Sequence, residues 1–287
     1  MEKKPEITDL SLRKHDCIDQ SFVVMGIVNV TPDSFSDGGK YFSTEQASDH
    51  ACRLADQGAQ VIDIGGQSTR PGATEIDVAE ECRRIIPVIG RVVKKTHALI
   101  SVDTYNSETA RRAVDVGALW INDVSAGMFD PAMPGFVASA GCKVILMHSR
   151  KRPVNMQEDP SYNDVIAEVK EELWSRVGVF TKAGVKTGNI IIDPGIGFAK
   201  RFEDNIMLLS RMREIVSMGY PVCLGVSRKS FIGQITGNEP DERLYGSLAA
   251  IAPAFEAGVT VFRVHDVKET IRFLRVLDVV TERKIVL

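Results

Sequence analysis

The chain has 287 residues, 44% of them hydrophobic, and 35 Lys and Arg against 38 Asp and Glu give a net charge of −3. That length suits one large domain or two small ones, and the slight acidity gives no support for a general nucleic-acid binder. The start of the chain lacks the apolar length of a secretion signal and no run is long enough to span a bilayer, so a cytoplasmic protein is expected.

The five cysteines, Cys17, Cys52, Cys82, Cys142 and Cys223, are scattered without a CxxC pair, as expected of reduced thiols. Cys142 and Cys223 adjoin strand-like runs and read as core.

In chain order, residues 1–20 read as a leader and 21–287 as one domain. An apolar run from Phe22 to Val28 is the first strand, ending at Asn29 in a polar loop that closes on Gly38-Gly39. A helix capped by Ser43 or Thr44 follows to about Gln57. The second strand, Val61 to Gly65, leads through the loop Gly66 to Gly72 into a helix from Asp77 to Lys95. Ala98 to Asp103 is the third strand, followed by a helix from Asn106 to Val116. Trp120 to Asp123 is the short fourth strand, followed by a small helix from Met133 to Ala140.

Lys143 to His148 is the fifth strand, and Arg150-Lys151-Arg152 after it reads as a solvated basic face rather than a binding patch. The longest helix is expected from Tyr162 to Ala183. Asn189 to Asp193 is the sixth strand, with Phe198 in a glycine-bracketed tip as either a ring-stacking platform or a hydrophobic plug. A helix from Asp204 to Met218 precedes the seventh strand, Pro221 to Gly225. The last pair is a helix from Arg243 to Glu256 and a strand from Val259 to Val264, with a terminal helix to about Val280. Eight strand–helix units with short linkers and no change of composition predict a single α/β domain, a (β/α)8 TIM barrel.

The polar residues inside or just past these strands fall at C-terminal ends: Asn29, Asp63, Asp103, Asn122, His148, Asp193, Lys229, Arg263 and His265. In a barrel those ends share one mouth, where chemistry resides. Asp or Asn at any single end also reads as a turn cap, but a cap does not call for Arg or Lys. Asp103, Asn122 and Asp193 offer acceptors and an amide to a planar amino-substituted heterocycle, and Lys229 a donor to its carbonyl or ring nitrogen. Arg263 and His265 alternate along one strand and so share a face able to meet one anion, with Asn29 on the adjacent first strand and Arg70 on the second loop. Oxygen ligands such as Asn29 and Asp33 suit Mg²⁺ held on phosphate. No zinc spacing, GxGxxG or Walker run is present.

Several stretches resemble the signatures of the dihydropteroate synthase family. They are Met25 to Gly39, Asp63 to Gly72, Asn122-Asp123-Val124, Asp193 to Phe198, Ser227 to Gly233 and Arg263 to Val267, in the family's order. Two positions depart from it: Gln67 stands where many members have Glu, and Ser149-Arg150 where many have Met-Gln.

The resemblance implies a homodimeric pterin-binding (β/α)8 barrel acting in folate synthesis on small-molecule substrates, without a membrane or nucleic-acid partner. The implied transferase joins 6-hydroxymethyl-7,8-dihydropterin diphosphate to 4-aminobenzoate, releasing diphosphate, with Mg²⁺ at Asn29. By the same resemblance Asp103, Asn122, Asp193 and Lys229 hold the pterin, and Asn29, Arg263 and His265 the diphosphate. Thr69, Arg70, Pro71, Phe198, Ser227 and Lys229 shape the aminobenzoate site, where sulfonamides also bind. Asp33 and Phe35 belong to a mobile loop. Asp33, Arg70, Lys229 and Arg263 are the expected catalytic residues, and Arg263→Ala is expected to cut turnover while leaving the fold intact. Two rivals are a barrel that moves a methyl group from methyltetrahydrofolate to a corrinoid protein, and a degenerate pterin binder.

Overall fold

β-Branched residues crowd the strand runs, because a side chain stiff at χ1 packs well on a pleated surface. In the computed structural model, which describes residues 21–31, 44–68, 72–156 and 160–281, these runs form eight parallel strands. They are β1 (Val23–Asn29), β2 (Val61–Gly65), β3 (Leu99–Asp103), β4 (Trp120–Asp123), β5 (Lys143–Met147), β6 (Ile190–Asp193), β7 (Cys223–Leu224) and β8 (Val261–Val264). Their order is β6-β5-β4-β3-β2-β1-β8-β7. An isolated parallel bridge between Ile192 and Val222 joins the two ends and closes the ring. The expected (β/α)8 barrel is therefore the architecture. The leader, residues 1–20, lies outside the described residues.

Ten α-helices among the described residues surround the strands: α1 (Thr44–Asp56), α2 (Val78–Lys95), α3 (Ser107–Asp115), α4 (Met133–Ala140), α5 (Val165–Lys182), α6 (Phe202–Ser210), α7 (Met212–Val216), α8 (Ser230–Thr236), α9 (Leu244–Ala257) and α10 (Val267–Val280). Asp77 caps α2 by accepting the Glu80 N–H at 2.7 Å, and Asp164 caps α5 through Ile166 and Ala167, satisfying donors that the helix cannot pair internally.

Four features differ from the sequence expectation. The helix expected from Asp204 starts at Phe202, because the Asp204 carboxylate reaches back to the Arg201 N–H at 2.9 Å. It also breaks at Arg211, whose backbone leaves the helical region at φ −110° and ψ 26°. The seventh strand shrinks to two residues, with Pro221 unable to donate to a ladder. Helix α8, which ends at a left-handed Gly237, was hidden by its short length. Within α5, Gly178 has open space where a Cβ would sit. Gly178→Ala is expected to raise stability by about 0.5–1 kcal/mol, read as a higher thermal midpoint.

The larger core lies between sheet and helices, built from residues such as Val24, Ile62, Ile64, Val88, Phe180 and Phe262. Side chains of opposite parity point into the barrel. There Met25, Val61, Trp120, Ile145, Ile191 and Val261 fill the lower interior together with Cys223. Cys142 and Cys223 are both buried free thiols, in keeping with their reading as core. Register fixes what stands above that apolar floor: Asp63 is level with Ile27 and Ser101, Asp103 with Gly65 and Asn122, and Arg263 with Met25. The polar ends of the strands thus surround one mouth over a dry plug.

Candidate active site at the barrel mouth

The mouth is organised by Arg263, on β8. Its Nε donates to Asp63 Oδ2 at 2.7 Å and its Nη2 to Asp103 Oδ2 at 2.7 Å. Asn122 Nδ2 donates to the same Asp63 oxygen at 3.0 Å. Residues from β2, β3, β4 and β8, separated by up to 200 positions, therefore form one bonded cluster. Asp63, Asp103, Asn122 and Asp193 are buried, whereas Arg263, Lys229 and His265 are half-buried.

Burial shifts the charges. It pushes the Asp103 carboxyl up to about 7, partly opposed by Arg263. Asp193 is raised by burial as well, against the Gly195 N–H that it accepts at 2.7 Å and the charge of Lys229. Burial, then repulsion from Arg263, lowers Lys229 to about 8. Burial also works against the Arg263 charge, but Asp63 and Asp103 outweigh it and the group is held cationic.

The fixed positive charge at this mouth therefore belongs to Arg263 and not to His265. Burial, aided by Arg228 and Arg263, drops the His265 ring to about 3. The imidazole is neutral at pH 7, with Nδ1 at 3.0 Å from Ser227 Oγ, and offers hydrogen bonds rather than a second positive charge.

Phe198 is packed as the plug reading expects, and one face of its ring is taken by a cation. It is buried in a cluster with Tyr105, Met147 and Met156, and its ring carries Lys229 Nζ at 4.1 Å from the centroid. The tip holding it is tied down: Gly197 N–H donates to Asn205 Oδ1 at 2.6 Å, Tyr162 OH to Ala199 O at 2.9 Å, and Lys200 Nζ to Phe198 O at 3.0 Å. Lys200 is a member of this site that sequence reading missed. It follows Phe198 by two positions, but an exposed lysine would read the same way.

One expectation is corrected. His148 does not face the mouth. Its Nδ1 lies 2.9 Å from Lys200 Nζ and its Nε2 2.9 Å from Glu172 Oε2, and burial and Lys200 lower it to about 4. The basic run 150–152 is partly exposed to solvent, and two of its cations are engaged there. Arg150 donates to Glu172 and Glu168 and lies 4.0 Å over the Tyr162 ring. Arg152 pairs with Glu75 and lies 4.5 Å over the Phe129 ring.

The departure at Gln67 finds a partner, with Nε2 donating to Tyr105 OH at 2.7 Å. Asp123 takes the capping role: its carboxylate accepts the Ser125 and Gly127 N–H groups and the Ser125 hydroxyl. Asp33, Phe35, Thr69, Arg70 and Pro71 lie outside the described residues.

The described residues hold no group of three or more His, Cys, Asp or Glu that could hold a metal ion. Mg²⁺ does not need one, because it keeps waters and substrate phosphates as ligands. Asn29, half-buried at the end of β1, has a side-chain amide with no hydrogen bond to another described residue. Its oxygen fits such an ion as a single ligand.

A family model described as "Pterin binding enzyme" matches residues 25–265. The dihydropteroate synthase of Bacillus subtilis (strain 168) is 44% identical over 89% of this chain and 87% of its own length. The chain belongs to the dihydropteroate synthase family of pterin-binding enzymes. The Escherichia coli (strain K12) dihydropteroate synthase is 43% identical over 91% of this chain and 92% of its own. Among solved structures, Xanthomonas albilineans dihydropteroate synthase with 4-aminobenzoic acid is similar at a TM-score of 0.86 and 46% identity, covering 91% of this chain and 93% of that one. The same enzyme in complex with 7,8-dihydropteroate gives 0.83 and 43%, covering 91% and 94%. The cluster around Arg263 lies at the C-terminal ends of the strands, the face on which (β/α)8 barrels in general carry their sites.

Proposed function

We propose that this chain catalyses the dihydropteroate synthase reaction of folate biosynthesis, joining 6-hydroxymethyl-7,8-dihydropterin diphosphate to 4-aminobenzoate with release of diphosphate. The observation that carries the reading is the convergence of Asp103, Asn122, Asp193 and Lys229 beside Arg263 in one buried mouth. A pterin edge presents ring N–H and amino donors next to a carbonyl. Two carboxylates, an amide and an ammonium match that edge in kind.

Arylamines are weak nucleophiles, so the barrier falls chiefly by helping the leaving group. The bond between the pterin methylene and the diphosphate oxygen breaks first, and the electron pair leaves with the diphosphate. The methylene cation is delocalised into the ring, the amine attacks it, and the nitrogen then loses a proton. Arg263 meets the growing negative charge, with His265 and Asn29 donating hydrogen bonds. Asp103 and Asp193 stabilise the electron-poor ring. Phe198, Ser227 and Lys229 bound the aminobenzoate side, which sulfonamides would share, with Thr69, Arg70 and Pro71 as further members. Asp33, Phe35 and Arg70 belong to loops that would exclude water competing for the cation. Mg²⁺ on the Asn29 oxygen would neutralise phosphate charge when bound.

The protein would act as a cytoplasmic homodimer. Exposed Ile235 and Tyr245, on the neighbouring helices α8 and α9, offer apolar surface to a second copy.

The test is dihydropteroate formation by purified protein from both substrates, with and without Mg²⁺. Absence of product would sink the reading, and demethylation of methyltetrahydrofolate instead would favour the methyl-transfer rival. A pH profile adds a sharper expectation. Below about 7 Asp103 takes up a proton and loses acceptor capacity, and above about 8 Lys229 gives up its charge. A plot of kcat/KM for the pterin substrate is therefore expected to fall on both sides of a maximum between these values. A flat profile from pH 6 to 9 would contradict it.

A further inference from the structure

In the scheme above the polar side chains of the central cluster address a substrate, with one exception, Asp63. It sits on β2 one level below Asp103, fully buried between the apolar floor and the mouth. One of its oxygens, Oδ2, accepts both Arg263 Nε and Asn122 Nδ2. The other, Oδ1, is buried without a hydrogen-bond partner among the described residues. A packing role does not account for this choice. Apolar side chains of similar volume in place of the whole buried pair with Arg263 would fill the barrel without an orphaned oxygen, and replacement of such a pair is often neutral or stabilising. Carboxylates kept at such a cost tend to mark function.

We propose that Asp63 is a positioning residue for the reaction, fixing Arg263 by its Nε edge and setting the polarity of the Asn122 amide that faces the pterin. The inference rests on the reading of the mouth as a pterin diphosphate site. Arg263 is gripped on two edges by carboxylates at different depths. The upper one, Asp103, is the one an incoming heterocycle must use. The lower one lies beneath the ligand and is out of its reach. When the pterin engages Asp103, Arg263 keeps its anchor on Asp63, and its Nη edge is released toward the diphosphate.

The Asn122 amide has opposite polarities at its two ends. A carboxylate only accepts, so the NH₂ end must meet Asp63, and the amide oxygen is turned away from it as an acceptor for a ring N–H. One buried carboxylate thus orders both a cation and an acceptor without touching the substrate.

The isosteric change Asp63→Asn tests this, because asparagine can meet Asn122 in either orientation and gives Arg263 no counter-charge. The KM for the pterin diphosphate is expected to rise about 10- to 100-fold, with the KM for 4-aminobenzoate unchanged within about twofold. An unaltered pterin KM would overturn the proposal. So would equal rises in both KM values with a lowered melting temperature, since that is what a merely structural residue would produce.

A second measurement does not depend on the variant folding. In a crystal of the unaltered protein with the pterin substrate, Arg263 Nε should still bond Asp63 while Nη2 has left Asp103. Rupture of the Asp63 bond there would overturn the proposal. An unaltered protein that makes no dihydropteroate fails the underlying reading of the site. An active one with a normal Asp63→Asn variant fails only the role given to Asp63.

Discussion

Arg263→Ala is expected to lower turnover by about 10³-fold and to destabilise the fold by about 3–5 kcal/mol at the same time. The first effect follows from removing the fixed cation that meets diphosphate charge as the C–O bond breaks. The second follows from what Arg263 does in the ligand-free molecule, where it lies between Asp63 and Asp103 at 2.7 Å from each. Without it two buried carboxylates share the mouth with no guanidinium between them. The expectation from sequence that the fold would survive this change untouched is therefore revised.

Arg263→Lys separates the two roles. An ammonium restores most of the charge balance but offers no planar fork for two carboxylates and a phosphate. Thermal stability is expected to recover to within about 1–2 kcal/mol while turnover remains at least about 10²-fold down. Denaturation curves and steady-state rates on the three proteins decide the matter. Turnover in Arg263→Lys close to that of the unaltered protein would show that charge alone suffices.

Gly195→Ala is the second change with a large expected effect. Gly195 follows the β6 carboxylate Asp193 and has φ +70°, a region that costs other residues about 1–2 kcal/mol. A Cβ there would also lie 2.0 Å from the His148 carbonyl oxygen. That atom is backbone and cannot rotate aside, so the 194–199 tip itself must move. The movement would strain the Asp193 bond to the Gly195 N–H and carry Phe198 away from Lys229. A loss of about 3 kcal/mol or more in stability is expected, with a rise of at least about tenfold in the KM for 4-aminobenzoate. Melting curves and initial rates against aminobenzoate concentration measure both. A variant with normal stability and normal KM would mean that the tip relaxes freely and that its ties through Lys200, Tyr162 and Asn205 carry no function.

Much of the barrel was legible because its signals are local. Runs such as Ile62 to Gly65 and Lys143 to Met147 are apolar strands whatever surrounds them. The start of α2 near Asp77 is likewise local, since that residue caps the helix by a bond only three residues ahead. The grouping of Asp103, Asn122, Asp193 and Arg263 at one mouth followed from parity and from the rule that parallel strands share an end. Features built on one or two turns escaped, including the two-residue β7 and the break at Arg211, since short segments carry too little periodicity to be read.

The sequence by itself determined the alternation of strands and helices, the face on which each strand residue points, and the chemical kinds gathered at the C-terminal ends. Only the tertiary structure decided which of those groups are spoken for. Arg263 is bound between Asp63 and Asp103, His148 and Lys200 turn behind the Phe198 tip, and Arg150 is spent on Glu168 and Glu172. Partnership between charges depends on distances across the barrel, and it is closure of the ring, set by packing of the whole chain, that brings residues 63 and 263 within 2.7 Å. The shift of Lys229 to about 8 and of His265 to about 3 has the same origin, because solvent exclusion belongs to the assembled mouth and to no stretch of sequence.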